Sequence, residues 1–385
     1  MSVPLLDVNA QNHALKDELR SAFDRVLESG FFIGGPEIES LENEIAEFVG
    51  AKHAIGVSSG TDALVCSLMA LGIGPGDEVL CPSFTFFATA GSIFRTGALP
   101  VFVDCDPVDF NICLDSARSK MTSRTKVIMP VHLFGQSCDM NAIVSFANEF
   151  GLAVIEDAAQ AIGARYQGQG CGAIGDYGTY SFFPSKNLGG LGDGGMVVTN
   201  DDELAELARK MRNHGMAPRY YHQMVGGNFR LDAVQAALLR VKFTHYGDYT
   251  RGRQENAAYY LEKLSALDGV VLSDDAAAKD AKILLPVTRD GNEHIWNQFT
   301  LRVKSGQRDN FKQFLADRGV ASEIYYPVPM HQQECFESLS EHSLGALPVT
   351  EMLSAEVISL PIYAELTPEQ RDEVVAAVTD YIAQA

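Results

Sequence analysis

Two side chains able to do covalent or proton-transfer chemistry follow apolar runs of the sequence. Lys186 comes after the run 179–182 and shortly before two glycines, and Asp157 ends the run 152–157. If these runs are buried strands, the low dielectric lowers the pKa of the amine and makes it a nucleophile or a base. A surface-loop lysine and a helix-capping aspartate are the alternative interpretations, and at this point both stay open.

Other residues at the ends of apolar runs suit binding rather than reaction. Ser58-Ser-Gly-Thr-Asp62 leads into a helical pattern, where free amide groups and the Thr61 hydroxyl could hold a phosphate. Phe84-Thr-Phe-Phe87 could offer an aromatic face to a planar group. A buried Asp157 would need a cationic partner, and a protonated pyridine nitrogen is one such cation. Helix capping and core packing are the alternatives here.

The elements that must position these residues follow from the alternation of apolar runs with helical patterns. Two amphipathic segments, 14–28 and 36–49, open the chain. Seven apolar runs then alternate with helical patterns and predict strands at 54–57, 78–82, 100–103, 127–131, 153–155, 179–182 and 196–199. This pattern indicates an α/β fold, in which a large domain holds a mostly parallel seven-stranded sheet flanked by helices.

The second part of the chain predicts a smaller C-terminal α+β domain. Its expected strands are 269–272, 299–303 and 321–325, and its expected helices are 308–318 and 368–383, after a long helix over 231–260 that is interrupted near 245–248. We place the large domain, with the N-terminal helices, at 1–250 and the small domain at 251–385.

The charge balance excludes several kinds of partner. The 385 residues include 50 acidic and 30 basic side chains, for a formal net charge of -20. Such a surface repels nucleic-acid backbones and anionic membranes, so we expect neither as a partner. No apolar run approaches the roughly 20 residues of a membrane span, and the first residues lack a leader pattern, so we expect a cytoplasmic protein.

Cysteines and acidic pairs give weak signals for metal. The seven cysteines contain no C-x-x-C pair, which favours free thiols over a disulfide framework or a zinc site. Asp104-Cys-Asp106 has the D-x-D form of metal-dependent glycosyltransferases. One such pair supplies too few ligands to specify a metal, and a strand end turning at Pro107 is the alternative interpretation. We therefore expect no metal, with the glycosyltransferase as an alternative function.

Six ordered motifs together resemble the DegT/DnrJ/EryC1/StrS family of sugar aminotransferases, which use pyridoxal 5'-phosphate (PLP). The motifs are Ser59-Gly-Thr-Asp-Ala-Leu, Pro82-Ser-Phe-Thr-Phe, Glu156-Asp-Ala-Ala-Gln, Ser181-Phe-Phe-Pro-Ser-Lys-Asn, Gly227-Asn-Phe-Arg-Leu-Asp and Tyr325-Tyr-Pro-Val-Pro-Met-His. Each motif alone is weak, but six in the right order are specific. The resemblance implies the fold-type I, aspartate aminotransferase-like fold and a homodimer with shared active sites.

The resemblance also implies the roles of the cofactor-binding residues. Lys186 would form the Schiff base with PLP and move the proton during transfer, and Asp157 would pair with the protonated pyridine nitrogen. Further PLP contacts are implied for Gly60, Thr61, Asp62, Phe86, Gln160 and Ser181, and from the partner subunit for Asn228. A branch of the family with histidine at the lysine position is made up of dehydratases. Lys186 therefore indicates transamination, with pyridoxamine phosphate as an intermediate.

The implied reaction transfers an amino group from L-glutamate to a nucleotide-linked keto-sugar, in amino-sugar or surface-polysaccharide biosynthesis. The Ser-Gly-Thr-Asp-Ala-Leu form favours a 3-keto sugar, and a 4-keto sugar is the alternative. A non-catalytic, PLP-binding regulatory protein is the alternative of another class. Substrate contacts are expected at Arg230, His331 and Arg219, and, from the partner subunit, at Tyr325 and Tyr326. Arg230 would bind a carboxylate or, alternatively, form an ion pair with Asp232.

Overall fold

The computed structural model describes residues 2–384, and its larger part runs from the N-terminus to the helix that ends at Arg212. In chain order its elements are α1 (Val8–Ala14), α2 (Lys16–Ser29), α3 (Pro36–Val49), β1 (His53–Val57), α4 (Gly60–Ala70), β2 (Glu78–Pro82), α5 (Phe87–Arg95), β3 (Leu99–Val103), α6 (Leu114–Ser119), β4 (Thr125–Ile128), α7 (Met140–Phe150), β5 (Ala153–Asp157), β6 (Arg165–Tyr166), β7 (Gln169–Gly170), β8 (Tyr177–Ser181), β9 (Gly195–Thr199) and α8 (Asp202–Arg212).

Seven of these strands form one sheet in the order β1-β9-β8-β5-β4-β2-β3. Every pair is parallel except the two made by β9, which runs antiparallel to β1 and to β8. All seven predicted strands are present, so the predicted mostly parallel seven-stranded sheet is confirmed. Their near-continuous apolar runs fit burial on both faces by helices.

Local sequence signals explain where the helices around the sheet begin and end. Pro36 occupies the first turn of α3, and Gly50 ends that helix in the left-handed conformation at φ 77°. Ser59 caps α4, because its hydroxyl accepts a hydrogen bond from the amide of Asp62. These signals place the start of α4 directly after β1, at the carboxyl edge of the sheet.

The remaining elements form the second part of the fold. They are α9 (Ala233–Phe243), α10 (Tyr246–Leu264), β10 (Val270–Leu272), β11 (Ile283–Leu285), β12 (Asn292–Glu293), β13 (Phe299–Val303), α11 (Arg308–Asp317), α12 (Pro348–Glu356), β14 (Val357–Leu360) and α13 (Pro368–Gln384). A four-stranded sheet has the order β10-β11-β13-β14, and helices α10, α11 and α13 cover it. The short β12 pairs with β6 of the larger part, which ties the two parts together.

Two expectations about this second part need revision or stay open. Residues 321–325 form no strand; Glu323 makes only an isolated bridge to Ser359, on the edge of β14 that does not pair with β13. The interruption expected near 245–248 lies at Thr244 and His245, between α9 and α10. Helix α10 passes through position 250, and a domain division there stays a prediction.

Within residues 2–384, no helix is both long and apolar enough to cross a membrane.

Candidate active site

A cavity of about 600 Å³ opens at the carboxyl edge of the large sheet. Strands β1, β2, β4, β5 and β8 all run toward this edge, so the residues that follow them meet there. Nine residues selected from the sequence line the cavity: Gly60, Thr61, Phe86, Asp157, Gln160, Ser181, Lys186, Tyr325 and Tyr326. The structure therefore brings the two reactive side chains and most of the predicted binding residues into one space.

Asp157 lies at the end of β5 on the floor of the cavity and is only 5% exposed. Its Oδ2 accepts a hydrogen bond from the Thr89 hydroxyl at 2.7 Å, and its Oδ1 accepts one from the amide of Ala159 at 3.2 Å. Burial raises the pKa of Asp157, whereas these two donors and the charge of Lys186 act in the opposite direction. A carboxylate in this environment is stabilised by a cation, as the sequence predicted.

Lys186 lies in the turn after β8, where its amide donates to the carbonyl of Phe183. Burial lowers the pKa of the Lys186 amine to about 8, although the negative charge of Asp157 opposes this shift. Two further hydrogen bonds anchor the residues that follow this turn: the side-chain Nδ2 of Asn187 donates to the Ile295 carbonyl, and the buried ammonium of Lys242 donates to the Gly189 carbonyl. The turn that carries the amine is therefore fixed by these contacts, and the amine is partly neutral near physiological pH.

The start of α4 forms a second wall of the cavity. The first amide groups of a helix point out of its N-terminus and suit a phosphate, and those of Gly60 and Thr61 lie here. Gly60 packs so closely on Ser181 that an added Cβ would lie 2.7 Å from the Ser181 Cβ. Asp62 does not line the cavity, because its amide donates to Ser59 Oγ and its carboxylate accepts from Ser58 Oγ.

Aromatic side chains form the third wall. Phe86 is 57% exposed, and its ring centroid lies 6.3 Å from that of Tyr326. The Gln160 carboxamide is held at both ends, since its Oε1 accepts from the amide of Phe134 and its Nε2 donates to the Tyr326 hydroxyl. The Tyr326 hydroxyl accepts that hydrogen bond, which leaves its own hydrogen available for a ligand. Tyr325 and Tyr326 line the cavity of their own chain, whereas the sequence suggested that they reach it from a partner subunit.

Four other predicted residues lie away from this cavity. His331 is buried between Ser83 and Glu351, which contact its two ring nitrogens at 2.7 and 3.2 Å, so it connects elements of the fold. Arg230 donates to Asn213 at 2.6 Å rather than to Asp232. Asn228 is exposed, and Arg219 lies in an exposed loop with its guanidinium 4.9 Å from the centre of the Tyr220 ring.

The acidic pair Asp104 and Asp106 belongs to the framework. Asp104 accepts hydrogen bonds from the amides of Val349 and Thr350 at the start of α12, and from the Thr350 hydroxyl. Asp106 binds Arg289 at 2.8 Å and caps the turn that follows it. Both carboxylates are occupied by the fold, so the structure does not support the metal-dependent glycosyltransferase alternative.

The structure adds residues that the sequence reading missed. Thr85, Phe183, Asn297 and Gln298 also line the cavity, and Thr89 lies directly beneath it in contact with Asp157. Thr89 could have been found, because it lies one helical turn after Thr85 of the Pro82 motif. Asn297 had no such signal: its side-chain Nδ2 donates to Asn187 Oδ1 across 110 positions of sequence.

These features fit PLP. Asp157 matches a protonated pyridine nitrogen, Lys186 supplies an amine of lowered pKa, the start of α4 suits the phosphate, and Phe86 offers a ring face. The four groups surround one cavity, so a single bound molecule could contact all of them.

Comparison with known proteins agrees with this site. The DegT/DnrJ/EryC1/StrS aminotransferase family matches residues 13–379, and the chain belongs to this family. It is 47% identical over 381 residues, 99% of each chain, to the "Pleiotropic regulatory protein" of Geobacillus stearothermophilus. It is 44% identical over 369 residues to the UDP-N-acetyl-3-dehydro-alpha-D-glucosamine 3-aminotransferase of Acidithiobacillus ferrooxidans, covering 96% of this chain and 95% of the relative.

A solved structure shows the same fold over the whole chain. DesV of S. venezuelae superposes with a TM-score of 0.92 at 40% identity and covers 100% of this chain and 99% of its own. The predicted fold class, the aminotransferase activity and the PLP cofactor are thereby confirmed.

Proposed function

We propose that this aminotransferase moves an amino group from L-glutamate to the C3 carbon of a nucleotide-linked 3-keto sugar. The observation that carries the proposal is the meeting of Lys186 and Asp157 in one cavity of about 600 Å³. The choice of sugar is supported by the relative from Acidithiobacillus ferrooxidans, whose name specifies a 3-dehydro sugar nucleotide and a 3-amino product. A 4-keto sugar is the alternative acceptor.

The side chains of this chain account for the steps of such a transfer. Bound PLP supplies an electron sink for the carbon that loses a proton. Lys186 takes and returns that proton, since an amine with a pKa of about 8 can act as either base or acid near neutral pH. Asp157 holds a hydrogen on the pyridine nitrogen. Phe86 covers a face of the ring, and the Tyr326 hydroxyl can donate to a polar group of the ligand.

The substrates are anions, and one chain offers them little positive charge. Among the described residues that line the cavity, Lys186 is the only lysine or arginine. Arg219, Asn228 and Arg230 lie off the cavity of their own chain, and we infer that they complete the cavity of a partner subunit in a homodimer. Among residues 2–384, the Nε of Arg230 is buried and has no hydrogen-bond partner, as expected of a group that binds an anion from outside its own chain.

An exposed apolar segment supports the homodimer. Phe31, Phe32 and Ile33 are 59%, 49% and 54% exposed, which is unusual for three consecutive large apolar side chains. Ile33 forms an isolated bridge with Asp232, two residues after Arg230, so the apolar segment adjoins the stretch 228–232 that carries two of the expected partner contacts. A second copy of the chain that covers this segment would bring Asn228 and Arg230 of one subunit toward the cavity of the other.

A borohydride experiment tests the covalent role of Lys186. The purified protein with PLP is expected to be yellow, and reduction followed by proteolysis is expected to give one labelled peptide that contains Lys186. Glutamate is expected to bleach the yellow form, and a keto-sugar nucleotide to restore it. A label on another lysine would contradict the proposal, and exposed Lys126 serves as the matched control position.

The position of the amine and the alternative functions need separate measurements. The reverse reaction on UDP- and dTDP-linked amino sugars is expected to consume 3-amino compounds and to leave 4-amino compounds unchanged. A regulatory role is a second candidate because of the name of the Geobacillus relative. That role predicts bound PLP whose spectrum no amino donor changes. A cytoplasmic location stays a prediction.

A further inference from the structure

The carboxylate of Asp157 has few hydrogen-bond donors for a buried acid. Within residues 2–384, its side chain accepts only from the Thr89 hydroxyl at 2.7 Å and the Ala159 amide at 3.2 Å. The shorter of the two comes from a threonine that is 0% exposed and lies on α5. A hydrogen bond to a charged group stabilises it more than a neutral pair does, so Thr89 is the main protein group that stabilises this anion from the side away from the cavity.

A second threonine orients the first. The hydroxyl oxygens of Thr85 and Thr89 lie 2.9 Å apart, and both side chains are buried. The ionised carboxylate of Asp157 can only accept, so the Thr89 hydrogen points to Asp157 and its oxygen accepts the hydrogen of Thr85. The result is a series of two hydrogen bonds, in which Thr85 donates to Thr89 and Thr89 donates to Asp157.

The other titratable groups around Asp157 do not supply the hydrogen bond that Thr89 donates. His132 is buried; its Nδ1 accepts from the amide of Cys138 and its Nε2 lies 2.7 Å from the Glu156 carboxylate, so neither ring nitrogen donates to Asp157. The Glu156 carboxylate accepts further hydrogen bonds from the amides of Gly172, Ile174 and Gly175. Lys186 and Tyr326 face the site from the cavity side, where a bound cofactor would lie.

We propose that Thr89 is a positioning residue for the cofactor: its hydroxyl, oriented by Thr85, keeps Asp157 ionised and directed at the pyridine nitrogen. Without this donor the Asp157 carboxylate would be more basic and would compete with the pyridine nitrogen of bound PLP for the proton between them. Asp157 would then hold less positive charge on the ring, and a protonated nitrogen on Lys186 would be repelled less. The proposal depends on the assigned cofactor and on no particular sugar.

The test is a pH titration of the visible absorption band of the PLP-loaded protein. Thr89→Val, which removes the hydroxyl and keeps the shape, is expected to raise the midpoint by about one pH unit, as expected from losing one hydrogen bond to a charge. PLP is expected to dissociate about tenfold faster. Thr89→Ser, which keeps the hydroxyl, is expected to return both values close to those of the unmodified protein, and Thr85→Val to shift the midpoint in the same direction by less.

A matched variant separates this role from a general loss of packing. Thr300→Val removes the hydroxyl of another buried threonine, which pairs with Ser359 in the small sheet. It is expected to leave the titration unchanged. An unchanged midpoint in Thr89→Val, or equal shifts in Thr89→Val and Thr300→Val, overturns the proposal. If Thr89→Val does not fold, an unchanged midpoint in Thr85→Val overturns it instead. No sugar is needed, so a protein that titrates as expected but aminates no sugar refutes the proposed substrate and leaves this inference intact.

Discussion

The floor of the cavity and the loop that carries Arg219 are built in opposite ways. On the floor, Asp157 ends one strand of the sheet and Lys186 follows another, and hydrogen bonds within the chain hold the Asp157 carboxylate and the Lys186 backbone. In the loop, Tyr220, Tyr221 and Val225 are 74%, 70% and 87% exposed, and the Arg219 guanidinium donates to the hydroxyl of its neighbour Tyr220 and lies over that ring.

This difference separates reaction from recognition. Shifting the pKa of an amine or a carboxyl requires burial, which the core of a single chain provides. Holding a large anion requires positive charge from several directions, and here one chain leaves its candidates outside the cavity. We therefore expect changes on the floor to abolish the reaction, and changes in the loop to act through a second subunit and to be smaller.

The largest expected effect tests whether the two regions belong to different subunits of one site. Lys186→Ala is expected to reduce transfer at least 10³-fold, on the order of the contribution of a general acid-base group. Asn228→Asp, which places a negative charge toward the phosphate, is expected to lose about 10²-fold. When the two inactive variants are refolded together, about a quarter of the sites recover both residues, because half of the dimers are mixed and each has one intact site.

The mixing experiment has an internal control. Lys186→Ala refolded with Lys186→Arg cannot produce an intact site and is expected to stay inactive. Recovery is measured as the rate of amino transfer, and formation of mixed dimers by affinity capture of one tagged variant. Mixed dimers with no recovered activity would mean that Asn228 serves its own chain or no active site.

A smaller effect concerns the pH dependence of cofactor loading on the floor. Burial lowers the pKa of Lys186 to about 8, so the fraction of neutral amine falls about tenfold for each pH unit below that value. The rate of PLP loading is therefore expected to rise with pH up to about 8 and then to level off. Stopped-flow absorbance measures this rate.

Asp157→Asn sharpens the same measurement. The charge of Asp157 raises the pKa of the amine and so partly offsets the effect of burial. Removing that charge is expected to move the midpoint of the loading curve to lower pH. An unchanged midpoint would show that the amine and the carboxylate do not interact across the cavity. The comparison uses the same cofactor in both proteins, so the titration of PLP itself cancels.

The sequence could predict the floor because its residues are near the ends of strands that it marks clearly. The apolar runs before Asp157 and Lys186 predict buried strands, and parallel strands end at a common edge, so these side chains had to meet. The supporting contacts were not predictable in this way. Asn187 depends on Ile295 and Asn297, more than 100 positions later, and nothing in the local pattern of either segment indicates the other.

For the loop, the sequence indicated which residues could bind an anion but not where they lie. Residue type marked Arg219 and Arg230 as anion binders, but the position of each depends on tertiary and subunit contacts that local pattern does not contain. Residues 321–325 gave a similar error, since an apolar run beside β14 predicted a strand where only one bridge forms. Tyr325 and Tyr326 line the cavity nonetheless, because the chain leading to the turn at Pro327 passes beside Phe86.

The smallest expected effect concerns Arg219 and the net charge of -20. Arg219→Ala is expected to raise the KM for the nucleotide sugar by about two- to fivefold at low salt, because an exposed charge acts over roughly 10 Å at 0.1 M salt. The glutamate half-reaction is expected to change less. Arg251→Ala is the matched control, since Arg251 is also exposed, pairs with its neighbour Asp248 on the same helix, and its loss changes the net charge by the same amount. Equal increases in KM for both variants would show that global repulsion, rather than a contact in the loop, governs substrate binding. A larger increase for Arg219→Ala that disappears at 0.5 M salt would place a local positive site on this otherwise negative protein.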